Sequence, residues 1–171
     1  MSKGKPEWEK AADIVRDAGG RIVGRTKFQK LAFLLELCGQ GEGFQFEYRH
    51  YGPYSEDLAE ALKLAVVFDL VLEEERKADW GGTYSIYTAR TSPDDSKSGQ
   101  RKSFATAAVQ IGSVELELAA TAAYLSAIER LKDPWEQTKR LKPEKATASR
   151  LKAAQRAYAD LREIEKTLPK I

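Results

Sequence analysis

Apolar positions recur at helical spacing from the start of the chain. Trp8, Ala11, Ala12 and Val15 fall at i, i+3, i+4 and i+7, the stripe of one amphipathic helix. Gly19-Gly20 is expected to close it, because glycine accepts the left-handed conformation at a helix C-terminus. A second helix is predicted from Thr26, where Thr26 and Gln29 have the spacing of a capping box. Its stripe of Phe28, Leu31, Ala32 and Leu35 is widened by Phe33, Leu34 and Leu37, the pattern of a helix buried on most sides, and Gly39 ends it.

The period then changes. Phe44-Gln45-Phe46-Glu47-Tyr48-Arg49 alternates aromatic with polar residues, which predicts a half-buried strand broken by Gly52-Pro53. Ser55 is placed to cap a third helix over about 56–68, with Glu56 and Asp57 in the first turn and Leu58, Ala61, Leu62 and Ala65 facing inward. Leu70-Val71-Leu72 opens a strand, and Asp79-Trp80-Gly81-Gly82 reads as the loop of a hairpin returning through Thr83 to Thr88. Residues 91–101 are polar and predict a loop or linker. Beyond them the chain is helical. Leu118, Ala122, Leu125 and Ile128 mark one helix with Ser113 as candidate cap, and Asp133-Pro134-Trp135-Glu136 starts a short one that Pro143 ends. Leu151, Ala154, Tyr158, Leu161 and Leu168 run along a last helix.

This order predicts a mostly helical α+β protein. Residues 7–90 would form a winged helix-turn-helix-like part with a small β-hairpin wing, 91–112 a polar linker and helix lead-in, and 113–168 a C-terminal helical extension packed on the first part. With 171 residues the chain is long enough for one unstapled core. One cysteine, Cys38, excludes a disulfide framework within the chain and a cysteine-based zinc site, and one histidine, His50, excludes any site that needs two. No apolar run is long enough for a signal or a membrane span, and the lone thiol fits a reducing interior, so a cytoplasmic protein is expected.

Net charge is only +2, yet it is unevenly spread. Residues 56–79 hold 8 acidic and 3 basic groups, whereas 130–156 hold 9 basic and 3 acidic ones. The second cluster is either a solvated helix face or a set of phosphate contacts, with Lys139, Arg140, Lys142, Lys145, Arg150 and Lys152 as nucleic-acid candidates.

Two stretches carry a resemblance. Arg25-Thr26-Lys27-Phe28-Gln29-Lys30-Leu31, followed by Phe46 to Ser55 with its Tyr51-Gly52-Pro53-Tyr54-Ser55 turn and then Leu58, resembles the YwgA-like and Panacea (SocA-like antitoxin) families of prokaryotic proteins. A weaker likeness covers Glu117 to Leu125 and Lys142-Pro143-Glu144-Lys145; Phe28 stands where the families more often have an aliphatic residue. The resemblance implies a winged-helix-like regulator without catalytic residues, antitoxin- or adaptor-like, and carries no active site across.

No constellation in the sequence points to catalysis, a cofactor or a metal. His50 lacks partner ligands, and Ser55 beside it is better explained as a helix cap. Gly39-Gln40-Gly41-Glu42-Gly43 follows a helix and lacks the ending of a phosphate loop, so it reads as a flexible connection. Glu73-Glu74-Glu75 reads as a solvated or edge-protecting run. Cys38, with no cation beside it in sequence, reads as a small hydrophobe. The aromatic set Phe44, Phe46, Tyr48, Tyr51 and Tyr54 is either a core wall or a partner surface, and Trp80 either packs back on the domain or meets a partner. Tyr51, Gly52, Pro53, Tyr54 and Trp80 are therefore the candidate partner contacts. A helix at 56–68 that presents Glu56, Asp57 and Glu60 would be repelled by a phosphate lattice. A protein partner is thus expected ahead of nucleic acid, with a homodimer also open.

Overall fold

A computed structural model of the chain describes residues 4–91 and 99–171. Among these, seven helices and two small antiparallel sheets make an α+β protein. In chain order they are α1 (Glu7–Asp17), β1 (Arg21–Val23), α2 (Arg25–Leu37), β2 (Glu47–Arg49), β3 (Gly52–Tyr54), α3 (Glu56–Val67), β4 (Val71–Lys77), β5 (Thr83–Ala89), α4 (Gly99–Val109), α5 (Ser113–Ala127), α6 (Pro134–Leu141) and α7 (Ala148–Ile164). No helix among the described residues is long and apolar enough to cross a membrane.

The central element is α5. Its residues from Leu116 to Leu125 are all buried, which an all-round apolar helix requires. It packs against α2 on one side and α6 and α7 on the other, so one core runs from Ile14 and Val15 through Leu31 and Leu34 to Leu118 and Leu161. The three-stranded sheet has the order β1-β5-β4. β1 pairs with β5 only through Arg21↔Thr88 to Val23↔Ile86, while β4 pairs with it from Val71↔Ala89 to Lys77↔Thr83. β2 and β3 form a separate hairpin.

Several expectations change in detail. α2 starts at Arg25 with Gly24 as its N-cap, so Thr26 lies inside the first turn and no capping box forms. Gly112, not Ser113, caps α5, and Asp133 takes the N-cap of α6 in a left-handed conformation without a side-chain bond. Ser55 does cap α3, its hydroxyl accepting from Leu58 N–H at 3.1 Å. The strand expected over Phe44–Arg49 shrinks to Glu47–Arg49, because Phe44 and Phe46 drop into the core before pairing begins. β1 is an element the hydrophobic pattern did not predict.

Part of the polar segment 91–101 lies outside the described residues. Its end, with the lead-in after it, is the helix α4. There Arg101 is buried between Asp17 (2.7 Å) and Glu42 (2.6 Å), while Phe104, Ala105 and Ala108 enter the core. The last helix stops at Ile164, and Leu168 is buried from the tail beyond it. Cys38 is buried, and loss of solvation pushes its thiol up to about 11, the behaviour of a packing residue.

Candidate functional site

A groove of about 950 Å³ opens between the first turns of α2, the β2–β3 turn and the β4–β5 hairpin. Each wall is set by a separate piece of local chemistry.

The inner wall is the β2–β3 turn, tied to the core by side chains of α2 and by Lys142, which caps the end of α6. Gln29 makes a two-way bond with the Ser55 backbone, accepting its N–H at 2.8 Å and donating to its C=O at 2.9 Å. Lys30 donates to the Pro53 carbonyl at 2.7 Å, and Lys142 to the His50 carbonyl at 3.2 Å. Gly52 sits at φ +89°, with Thr121 so close behind it that a Cβ would lie 2.5 Å from Thr121 Oγ1. Only glycine meets both demands. The two sequence motifs at 25–31 and 51–55 thus meet: the polar residues of the first serve the backbone of the second.

Beneath this turn lies a buried charge cluster. Glu117 on α5 holds Lys145 at 2.9 Å and Lys142 at 3.2 Å, and Lys30 stands nearby at 1 % exposure. Burial pulls the Lys30 ammonium down to about 7, with Glu117 opposing and Lys142 and Lys145 reinforcing the shift. Above the cluster the Lys145 ammonium lies 4.7 Å from the centre of the Tyr51 ring, and the Arg49 guanidinium 5.1 Å from that of Tyr54.

The outer wall is the hairpin. Glu73 is only half-buried and does not belong to a solvated run. It accepts from Ser85 Oγ at 2.6 Å and from Tyr87 Oη and Arg25 at 3.3 Å, which ties α2 to the sheet. Burial alone would raise the Glu73 carboxyl, but these three donors outweigh it and hold it below its ordinary value. Past this anchor the tip is free: Trp80 is 77 % exposed, its ring lying over Gly82.

The aromatic set therefore divides. Phe44 is buried, and Phe46 packs on Phe33 at 5.4 Å. Tyr48 rests on Tyr124 at 5.8 Å. Tyr51 (59 % exposed) and Tyr54 face the groove together with Trp80. Gly52 and Pro53 are buried in the turn that carries the two tyrosines. Pattern reading missed Lys27, Lys77 and Thr83, which also line the groove, because the sheet edge and helix end bring them there rather than any spacing in sequence.

The basic segment 130–156 does not form one surface either. Lys142 and Lys145 turn inward to Glu117, while Lys139, Arg140, Arg150 and Lys152 remain exposed on α6 and α7. Glu56, Asp57 and Glu60 are exposed on α3, as is Lys63. No protein-family model matches the chain, and no curated protein is significantly similar to it.

Proposed function

We propose that this protein is a non-catalytic regulatory module, antitoxin- or adaptor-like, that binds a protein partner in the groove between the β2–β3 turn and the β4–β5 hairpin. One observation carries the reading. Tyr51, Tyr54 and Trp80 come from two separate hairpins and line one groove, whose inner wall is fixed and whose outer wall ends in an exposed tryptophan. Large aromatics on a preformed concave surface are the groups that anchor protein interfaces.

The first part of the chain is read as winged-helix-like. The succession α1, β1, α2, α3, β4, β5 and the strand order β1-β5-β4 support this. The helix that would enter a DNA groove in such an arrangement, α3, presents carboxylates, which argues against duplex reading through it. The exposed cations of α6 and α7 supply the competing reading, a nucleic-acid-binding regulator.

The full chain is used as bait in a lysate of its native host, beside Trp80→Ala and Tyr51→Ala variants. A specific protein retained by the wild type and lost with both variants is expected. A salt-sensitive gel shift that survives both variants and disappears in Lys139→Glu/Arg140→Glu would replace this reading with the nucleic-acid one.

A further inference from the structure

Three amines and one carboxylate meet beneath the β2–β3 turn, and their charges do not balance. Glu117 and Lys142 are buried and pair at 3.2 Å. Lys145 pairs with the same carboxylate at 2.9 Å but is half-exposed beside the Tyr51 ring, where water solvates its charge. Lys30 is left over. It is the most enclosed of the three and forms no ion pair among the described residues, and its nitrogen donates to a neutral carbonyl, that of Pro53, at 2.7 Å. A charge held there has neither water nor a counter-ion of its own. The other titratable groups around it do not supply one. Lys27, one turn earlier on α2, bonds the Val109 carbonyl and faces Glu115. The Tyr48 phenol, near Glu117, is kept neutral by burial and by that carboxylate. His50 is exposed and meets the cluster through its carbonyl, which accepts from Lys142.

The element above Lys30 is small. β2 and β3 pair over three residues each and belong to no larger sheet, so the turn is held by what lies under it. One of those supports is incomplete: Gly52 lies against Thr121, whose Oγ1 is buried without a hydrogen-bond partner. Lifting the turn breaks the bond from Lys30 to Pro53, but it brings water to the Lys30 nitrogen and to the Thr121 hydroxyl together. That gain is large when Lys30 carries a proton and small when it is a neutral amine.

We propose that Lys30 is a proton-operated latch for the β2–β3 turn: as a neutral amine it lets Tyr51 and Gly52 seat over Thr121, and as an ammonium it favours a lifted, hydrated turn. The seated turn binds one proton fewer than the lifted one. Lifting therefore becomes rarer as pH rises from about 7 towards 10.5 and is independent of pH well below that range. The latch goes beyond the partner reading and does not depend on it, since the motion belongs to the turn itself. Where Tyr51 and Tyr54 do serve a partner, binding to the seated turn is accompanied by loss of that proton.

Hydrogen exchange of the full chain, followed by NMR at single amides, tests this. Protection of the Gly52 and Tyr54 amides is compared with that of the core amides of α5 at about pH 7 and about pH 9. The turn amides are expected to be protected about tenfold less than those of α5, or lower still. Their protection should rise about tenfold or more between the two pH values. The rise should vanish in Lys30→Met and persist in His50→Gln. In the wild type the carbon resonance of Lys30 Cε should titrate across the same range as the turn, which decides the matter should Lys30→Met not fold. Equal protection at the turn and in α5 would show that the turn opens only with the whole chain, and would overturn the latch. Turn protection that does not change with pH would do the same. A rise that survives in Lys30→Met, or a Lys30 resonance that titrates only near its ordinary 10.5, would place the proton on another group and remove Lys30 from the role.

Discussion

The two walls of the groove are both hairpins rich in aromatic residues, but they are held in opposite ways. The β2–β3 turn is anchored from behind: Gln29, Lys30 and Lys142 bond the backbone of Ser55, Pro53 and His50, and Thr121 fills the space under Gly52. The β4–β5 hairpin is anchored only up to Glu73, and beyond it Trp80 projects with three quarters of its surface in solvent. A wall whose backbone polar groups are satisfied by the core cannot move without breaking them. A tip whose contacts lie only within its own hairpin can adjust to what it meets. The same residue types thus give a template on one side and a clasp on the other, and substitutions on the two sides should separate stability from binding.

The largest effect is expected where the fixed wall rests on charge. Glu117→Ala leaves Lys142 buried without its carboxylate, and removing one partner of a buried pair costs about 3–5 kcal/mol. Urea unfolding of the purified variant measures this. A loss under about 1 kcal/mol would mean that the cluster admits water and that the wall is not fixed by it.

Gly52→Ala comes next. A left-handed φ costs a non-glycine residue roughly 1–2 kcal/mol, and the contact with Thr121 adds an overpacking term of about 1–3 kcal/mol. Thr121→Ala separates the two. Thr121 Oγ1 is buried without a hydrogen-bond partner, so its removal alone should be close to neutral. In that background Gly52→Ala should cost only the backbone term. A double-mutant cycle that shows no coupling would place the strain elsewhere.

How much of this arrangement the chain discloses depends on the kind of signal. Helices with a clear apolar stripe, such as those holding Trp8 to Val15 and Leu58 to Ala65, were legible because burial and period coincide. α4 was not, because Arg101 and Lys102 stand at its start and a polar helix entry looks like a loop until Asp17 and Glu42 are seen to enclose the guanidinium. β1 is three residues between glycines, too short for any alternation. Gln29 had the spacing of a cap partner, yet its amide serves a turn 26 residues away. At the groove the aromatics were legible as loop-tip residues. Lys77 and Thr83 were not, since the pairing of β4 with β5 is what sets them side by side at the end of the sheet.

Lys30 sharpens the contrast through pH. With its ammonium drawn down to about 7 by burial, the unfolded chain binds a proton that the folded chain lacks between about 7 and 10.5. Stability contributed by this group therefore rises with pH across that window and is flat below it. Lys30→Met removes the rise. The comparison is best made between about pH 6.5 and 8.5, below the range in which the buried Cys38 thiol imposes the opposite slope. Parallel curves for the two proteins would show that Lys30 stays charged in the folded wall.

The smallest effect on stability is expected at the other wall. Trp80 contributes little buried area, so Trp80→Ala should change the unfolding free energy by no more than about 0.5 kcal/mol. Gly82, which lies beneath the ring, keeps its own conformation when the ring is removed, because the loop is closed by backbone bonds from Ala78 to Gly82 and from Gly81 to Ala78. A clasp predicts that this nearly silent change abolishes partner binding, whereas Glu117→Ala weakens binding only as far as it unfolds the chain. Should Trp80→Ala instead destabilise by about 2 kcal/mol or more, the tip would be holding the domain together, and the difference between the two hairpins would vanish.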